Sequence, residues 1–160
     1  METEQLFGLA NAAALPGWLA LALAPLWRGR AVFAARLFAA LLCLGYFALL
    51  LSGLAGAGPP EGAGFTTLEG VRLLLSTPEA LLAGWVHYLA FDLFVGSWEV
   101  EDAGKARLPH WLVLPCLAFT FVAGPVGLLL YLCVKVARIR AARDGAAQVT
   151  GRNGKSIRRA

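Results

Sequence analysis

Between residues 84 and 99 the chain reads GWVHYLAFDLFVGSWE, which sets His87, Asp92 and Glu99 among side chains otherwise suited to hydrocarbon. An Asp at the centre of a membrane helix costs roughly 2.5–3.5 kcal/mol, so such groups face partners, cavities or proton paths rather than lipid. At about 100° per residue, Trp85, Tyr88, Asp92 and Glu99 share one stripe of a helix, and His87, Phe91, Phe94 and Trp98 form the stripe beside it. Tyr88 stands one turn before Asp92, so its hydroxyl is within reach of the carboxylate. His87 is about 140° round the helix from Asp92. The two therefore either flank one groove or meet separate partner helices. Glu99 falls near the expected end of the span, where head-groups begin.

A carboxylic acid paired with a His or Tyr can give and take protons at two points of one molecule. With aromatic walls and no cofactor, that chemistry suits isomerisation or epoxide opening of a lipophilic substrate. Proton translocation would use the same residue types. Metal chemistry is poorly served. His87 and His110 have no compact ligand spacing, and two histidines in the whole chain cannot supply a histidine-box di-iron site. No phosphate-binding Gly-rich loop or nucleotide fingerprint is present, so no metal and no cofactor are expected.

The elements that must position these groups belong to a membrane protein. The 160 residues are 59% hydrophobic and only 15% charged, against about 45–50% and 25% in soluble domains. The mean hydropathy is +0.67. Cys43, Cys116 and Cys133 lie in apolar runs and form neither a disulfide framework nor a zinc pattern. Eight of the fourteen Lys and Arg residues fall from Lys135 onward, a distribution that suits anionic lipid and, without a recognition motif, argues against nucleic acid.

The pattern predicts an all-α polytopic fold, a single transmembrane domain over 1–140 with four spans at about 6–27, 31–54, 78–98 and 110–136. A basic, disordered tail is expected over 141–160. Glu2 and Glu4 precede the first span where a signal peptide would be basic, so that span is read as mature structure. GLAGAGPPEGAG is a loop, and an amphipathic helix over about 67–76 follows it. Ser76-Thr77-Pro78-Glu79 signals the start of the third span. Pro115 and Gly124-Pro125 predict a bend in the fourth. Four spans put both termini on one side, and the basic tail favours the cytoplasm for it.

GWVHYLAFDLFVGSWEVEDA and LPHWLVLPCLAFTFVAGPVGLLLYL, with LEGVRLLLSTPEALLAG upstream, resemble the membrane family that includes plant neoxanthin synthase, named for an abscisic-acid-deficiency phenotype. The Ala/Leu-rich composition is similar to that of its bacterial members, which implies a multi-pass protein of the bacterial cytoplasmic membrane. The resemblance implies an enzyme acting on carotenoids by isomerisation or epoxide opening, with carotenoid and membrane lipids as partners and a homo-oligomer as a possible assembly. Its alternatives are oxidative or light-dependent cleavage to apocarotenals, and non-catalytic, photoprotective pigment binding. Asp92, His87 and Glu69 occupy motif positions that could supply the acid and base. Trp85, Tyr88, Phe91, Phe119 and Phe121 would line the substrate groove, with Pro125 shaping it.

Overall fold

The polypeptide breaks where its backbone chemistry requires it. The computed structural model describes residues 2–56 and 58–157, with Leu54 and 144–157 described by backbone alone. Helices α1 (Thr3–Ala22), α2 (Arg28–Ala55), α3 (Leu68–Leu74), α4 (Pro78–Lys105), α5 (His110–Ala123) and α6 (Pro125–Ile157) are joined by turns and loops, one a 3-10 turn at Ala24–Leu26. No strand occurs among the described residues. α1, Arg28–Gly53 of α2, and α4 are each long and apolar enough to cross a membrane.

These three form the frame. α1 and α4 run in the same direction and α2 runs against them, as three contact levels show. Phe7 meets Trp85 at one end, Gly17 packs on Leu93 and Ala35 in the middle, and Arg28 crosses Gly104 at the other. Small residues make the approach possible. Ala10, Ala14, Ala31, Ala35 and Ala39 are buried, and a Cβ on Gly96 would strike the Trp18 ring at 2.8 Å. Membrane helices associate through such close packing because lipid supplies no hydrophobic driving force between them.

The start of α4 follows its sequence signal. Thr77 Oγ1 accepts from Ala80 N at 3.2 Å, and Pro78 occupies the first turn. Thr67 caps α3 in the same way, accepting from Gly70 N at 3.0 Å. The far end of α4 differs from expectation, because helix continues from residue 98 through Lys105. The charges of EVEDAGK are tied down: Glu101 pairs with Lys105 at 2.8 Å and with Arg36, and Asp102 pairs with Lys135 at 2.6 Å. The reversal comes only at Arg107, whose φ is +54°.

The expected fourth span is corrected more deeply. Residues 110–136 are two helices, and Gly124, at φ +25°, is a reversal rather than a bend. A Cβ on Gly127 would run into the backbone N of Thr120, so α5 and α6 lie against each other near the turn. Asp92 of α4 faces Gly124, while Asp102 faces Tyr131 and Lys135, so α6 returns toward the end where α5 began. The fourth element is therefore a helical hairpin whose tip reaches mid-height on α4. Where a disordered tail is expected from residue 141, α6 runs on as helix to Ile157, and residues 158–160 lie outside the described residues. Ala141, Ala142 and Arg143 continue the helix with strong helix formers and no proline.

The hairpin also separates the ends that four spans would have placed together. Lys135 lies at the same end as Arg28 and Lys105, opposite Glu4 and Pro78. A topology reporter joined to each terminus should then read opposite sides of the membrane, with the basic C-terminal one cytoplasmic. Reporters on the same side would restore four complete crossings. Gly127→Ala should destabilise the detergent-solubilised protein by about 1–3 kcal/mol through overpacking, seen as a lower thermal midpoint. Gly45→Ala, with open space around it, should leave the midpoint within error.

Candidate functional site

Along the face of α4 that meets the hairpin, Tyr88, Asp92, Glu99 and Asp102 recur at spacings of four, seven and three residues, a continuous stripe on a helix. Each finds a different partner. The Tyr88 hydroxyl donates to Val122 O at 2.9 Å, at the hairpin tip, and lies beside the Asp92 carboxyl as well. Asp92 sits where Gly124 has no side chain, since a Cβ there would be 2.5 Å from Asp92 Oδ1. Asp92 Oδ2 is buried without a hydrogen-bond partner among the described residues.

Two turns further, Glu99 is fully buried. Its Oε1 accepts from Thr120 Oγ1 at 2.9 Å, and its Oε2 has no partner among the described residues. The Thr120 hydroxyl also reaches Cys116 O at 3.0 Å, which fixes it between helix backbone and carboxyl. Asp102 ends the stripe, taking a 2.5 Å hydrogen bond from Tyr131 and the ion pair with Lys135. The stripe thus runs from a tightly satisfied, charged end to a buried and under-satisfied interior.

On the α1 side of α4 an apolar groove of about 610 Å³ opens between α1 and the α3–α4 junction, with Phe7, Leu81, Trp85 and Tyr88 in its wall. Phe7 and Trp85 lie 5.7 Å apart, and Trp85 and Tyr88 stack at 5.3 Å. Trp85 is held in place by its Nε1, which donates to Asn11 Oδ1 at 3.0 Å. The row ends at Tyr88, the residue that adjoins Asp92. An aromatic wall therefore leads from lipid to the half-buried carboxyl of Asp92.

A family model described as ABA DEFICIENT 4-like matches residues 5–131. The chain belongs to the ABA4-like family. Comparison with curated proteins and with solved structures gives no match. Membership agrees with the resemblance carried by GWVHYLAFDLFVGSWEVEDA, and ties this ABA4-like chain to carotenoid-related membrane proteins.

The ABA4-like fold divides the residues singled out in the sequence among four places. Asp92, Tyr88 and Trp85 come together as described. His87 does not join them: it stacks on Phe91 at 4.4 Å and meets Tyr46 of α2 edge-on at 5.4 Å. Of the two arrangements open to His87 and Asp92, separate partner helices is the one realised. Phe91 accordingly belongs to a second groove, with Cys43, Leu44 and Phe94, on the α2 side. Phe119 and Pro125 lie exposed on the hairpin, and Phe121 packs edge-on against Trp18 at 5.4 Å. The aromatics expected in one groove thus stand apart, with Trp85 and Tyr88 in one, Phe91 in another, and Phe119 and Phe121 in neither.

Glu69 lies apart from all of these, on α3, bonded to Arg72 at 2.5 and 2.8 Å. Those hydrogen bonds hold its carboxyl below the ordinary carboxylate range. Such a group is an ionised partner for Arg72 rather than a proton donor at neutral pH.

Glu99 and Thr120 are the residues that the sequence reading undervalued. Glu99 shares the Asp92 stripe, but it seemed to end the span at the head-groups, and only the extension of α4 buries it. Among the described residues, no group of three His, Cys, Asp or Glu side chains gathers as a ligand set. Thr120→Val keeps the side-chain shape and leaves the Glu99 carboxyl without its donor. It should cost about 1–3 kcal/mol of stability in detergent unfolding, and Thr120→Ser should restore most of it.

Proposed function

We propose that this ABA4-like protein is a carotenoid-modifying enzyme of the bacterial cytoplasmic membrane, acting by acid/base isomerisation or epoxide opening. The observation that carries the reading is the aromatic row Phe7–Trp85–Tyr88, which ends beside a carboxyl with an oxygen unpartnered among the described residues. A polyene is flat, apolar and polarisable, so it matches an aromatic wall that opens toward lipid. The groove takes one end of the molecule, and the remainder lies along the lipid-facing helices.

Asp92 then supplies the acid. Opening an epoxide to an alcohol while forming a new double bond needs a proton at the oxygen, given by Asp92, and loss of one from an adjacent carbon, taken by the Asp92 carboxylate that the first transfer leaves. Protons and electrons balance without a redox partner. Tyr88 stands between groove and carboxyl and orients the oxygen. His87 and Glu69 stay outside this group, one packed among aromatics toward α2 and the other paired on α3.

One observation favours a second reading. Asp92 adjoins the groove only through Tyr88, and the carboxyl in the groove's own wall, Glu4 of α1, is exposed, so among the described lining residues no buried base stands opposite Asp92. That arrangement suits holding a polyene for oxidative or light-driven cleavage as well as two-ended proton transfer.

The test is to incubate the purified protein with carotenes and with xanthophylls, in light and dark, and to separate the products by chromatography. Isomerised products in the dark are expected, with Asp92→Asn lowering turnover by about 100-fold or more and His87→Ala changing it only a few-fold. Undiminished turnover by Asp92→Asn would sink the acid role. Apocarotenals formed only in light and oxygen would establish the second reading, and pigment bound but unchanged would make this a carotenoid-binding protein.

A further inference from the structure

At the basic end of the frame, between α2 and α4, lies a groove of about 570 Å³ that the carotenoid reading does not use. Arg28, Arg36 and Lys105 bring three positive charges to it and Glu101 one negative, a balance of +2. Glu101 is fully occupied, with Oε2 on Arg36 and Oε1 on Lys105 at 2.8 Å. Arg36 is further fixed by its Nε, which donates to Ser97 Oγ at 3.3 Å. Arg28 is different. It makes no ion pair among the described residues, and its Nε is buried without a hydrogen-bond partner. Its guanidinium is laid across α4 at Gly104, where a Cβ would come within 2.5 Å of Nη1 and 2.9 Å of Cδ. A glycine therefore makes the space that holds an unpaired cation in the groove.

The first turn of α2 opens on the same place. Gly29 lines the groove, and among the described residues no side chain caps the start of this 28-residue helix. Its first N–H groups and the positive end of its dipole thus favour an anion there. The remaining wall is apolar, with Phe33 exposed toward lipid, and Trp27 marks the interface at half exposure. A charged pocket above and an apolar wall below fit a molecule that is anionic at one end and hydrocarbon at the other.

We propose that this groove binds the phosphate of an anionic phospholipid, with Arg28 as the principal contact, Lys105 at the rim, and an acyl chain along Phe33. Basic pockets between membrane helices recognise anionic head-groups in this way. The hydrocarbon wall is what selects a lipid phosphate over a free one. Such a lipid bridges the ends of α2 and α4, and so braces the frame on which the hairpin rests.

The full chain, purified in detergent, would be supplied with phosphatidylglycerol, with phosphatidylcholine of the same acyl chains, or with inorganic phosphate. Bound lipid is counted by native mass spectrometry and the thermal midpoint is read in parallel. Phosphatidylglycerol should be retained over phosphatidylcholine and should raise the midpoint, while inorganic phosphate leaves it unchanged. Arg28→Gln should weaken that preference by about five-fold. Gly104→Ala should weaken it as well without altering charge, by expelling the guanidinium. Glu101→Gln should strengthen it, an effect of opposite sign that misfolding cannot imitate. Arg143→Gln, at a basic residue elsewhere on α6, should leave it unchanged. Equal retention of the two lipids, or a loss in Arg143→Gln as large as in Arg28→Gln, would overturn the proposal. Stabilisation by inorganic phosphate equal to that by phosphatidylglycerol would assign the pocket to soluble anions and overturn it equally.

Discussion

Everything around the candidate site depends on covering the acidic stripe of α4. A helix that carries Asp92, Glu99 and Asp102 on one face cannot show that face to hydrocarbon, where unpaired polar groups cost several kcal/mol each. The α5–α6 hairpin is the cover. It brings Thr120 to Glu99, Tyr131 and Lys135 to Asp102, and the bare backbone of Gly124 to Asp92. The match is graded. Satisfaction is complete at the charged end and incomplete toward the tip, which is where the aromatic groove arrives. Incompletely satisfied polar groups in an otherwise closely packed interior are where function is usually found.

The two faces of α4 thus have separate tasks. One, through Leu82, Val86 and Leu93, is packed into the frame with α1 and α2. The other carries the ionisable groups beneath the hairpin. His87 belongs to neither, and it faces Tyr46 at the edge of α2. Four residues of helix therefore separate a carboxyl placed for proton transfer from an imidazole placed for aromatic stacking. Side-chain type alone could not distinguish those two roles.

What the sequence made legible was local. Thr77-Pro78-Glu79 announced the start of α4, the Gly/Pro run announced the loop before α3, and apolar length announced the three frame helices. Each of these rests on neighbours in the chain. The end of α4 was not legible, because Glu101 and Asp102 remain helical through Arg36 and Lys135, which are far away in sequence. Gly124-Pro125 was legible as an interruption but not as a reversal. A bend and a hairpin share that signature, and the close approach of Gly127 to Thr120 distinguishes them only once the chain is folded. The site was half visible for the same reason. Tyr88 and Asp92 are one turn apart and could be paired on paper, whereas Phe7 and Thr120 enter it from other helices.

The length of α5 has a consequence for how the protein is made. At 14 residues it spans only about 21 Å, short of the roughly 30 Å hydrocarbon core. It cannot be installed alone as a crossing, and its partner arm α6 becomes charged from Lys135 onward. The hairpin must therefore enter as a unit, and it has a resting place only once α4 is in the bilayer to receive Thr120 and Tyr131. Assembly has an order written into it: frame first, hairpin second, with the acids of α4 serving as the template on which the last element docks.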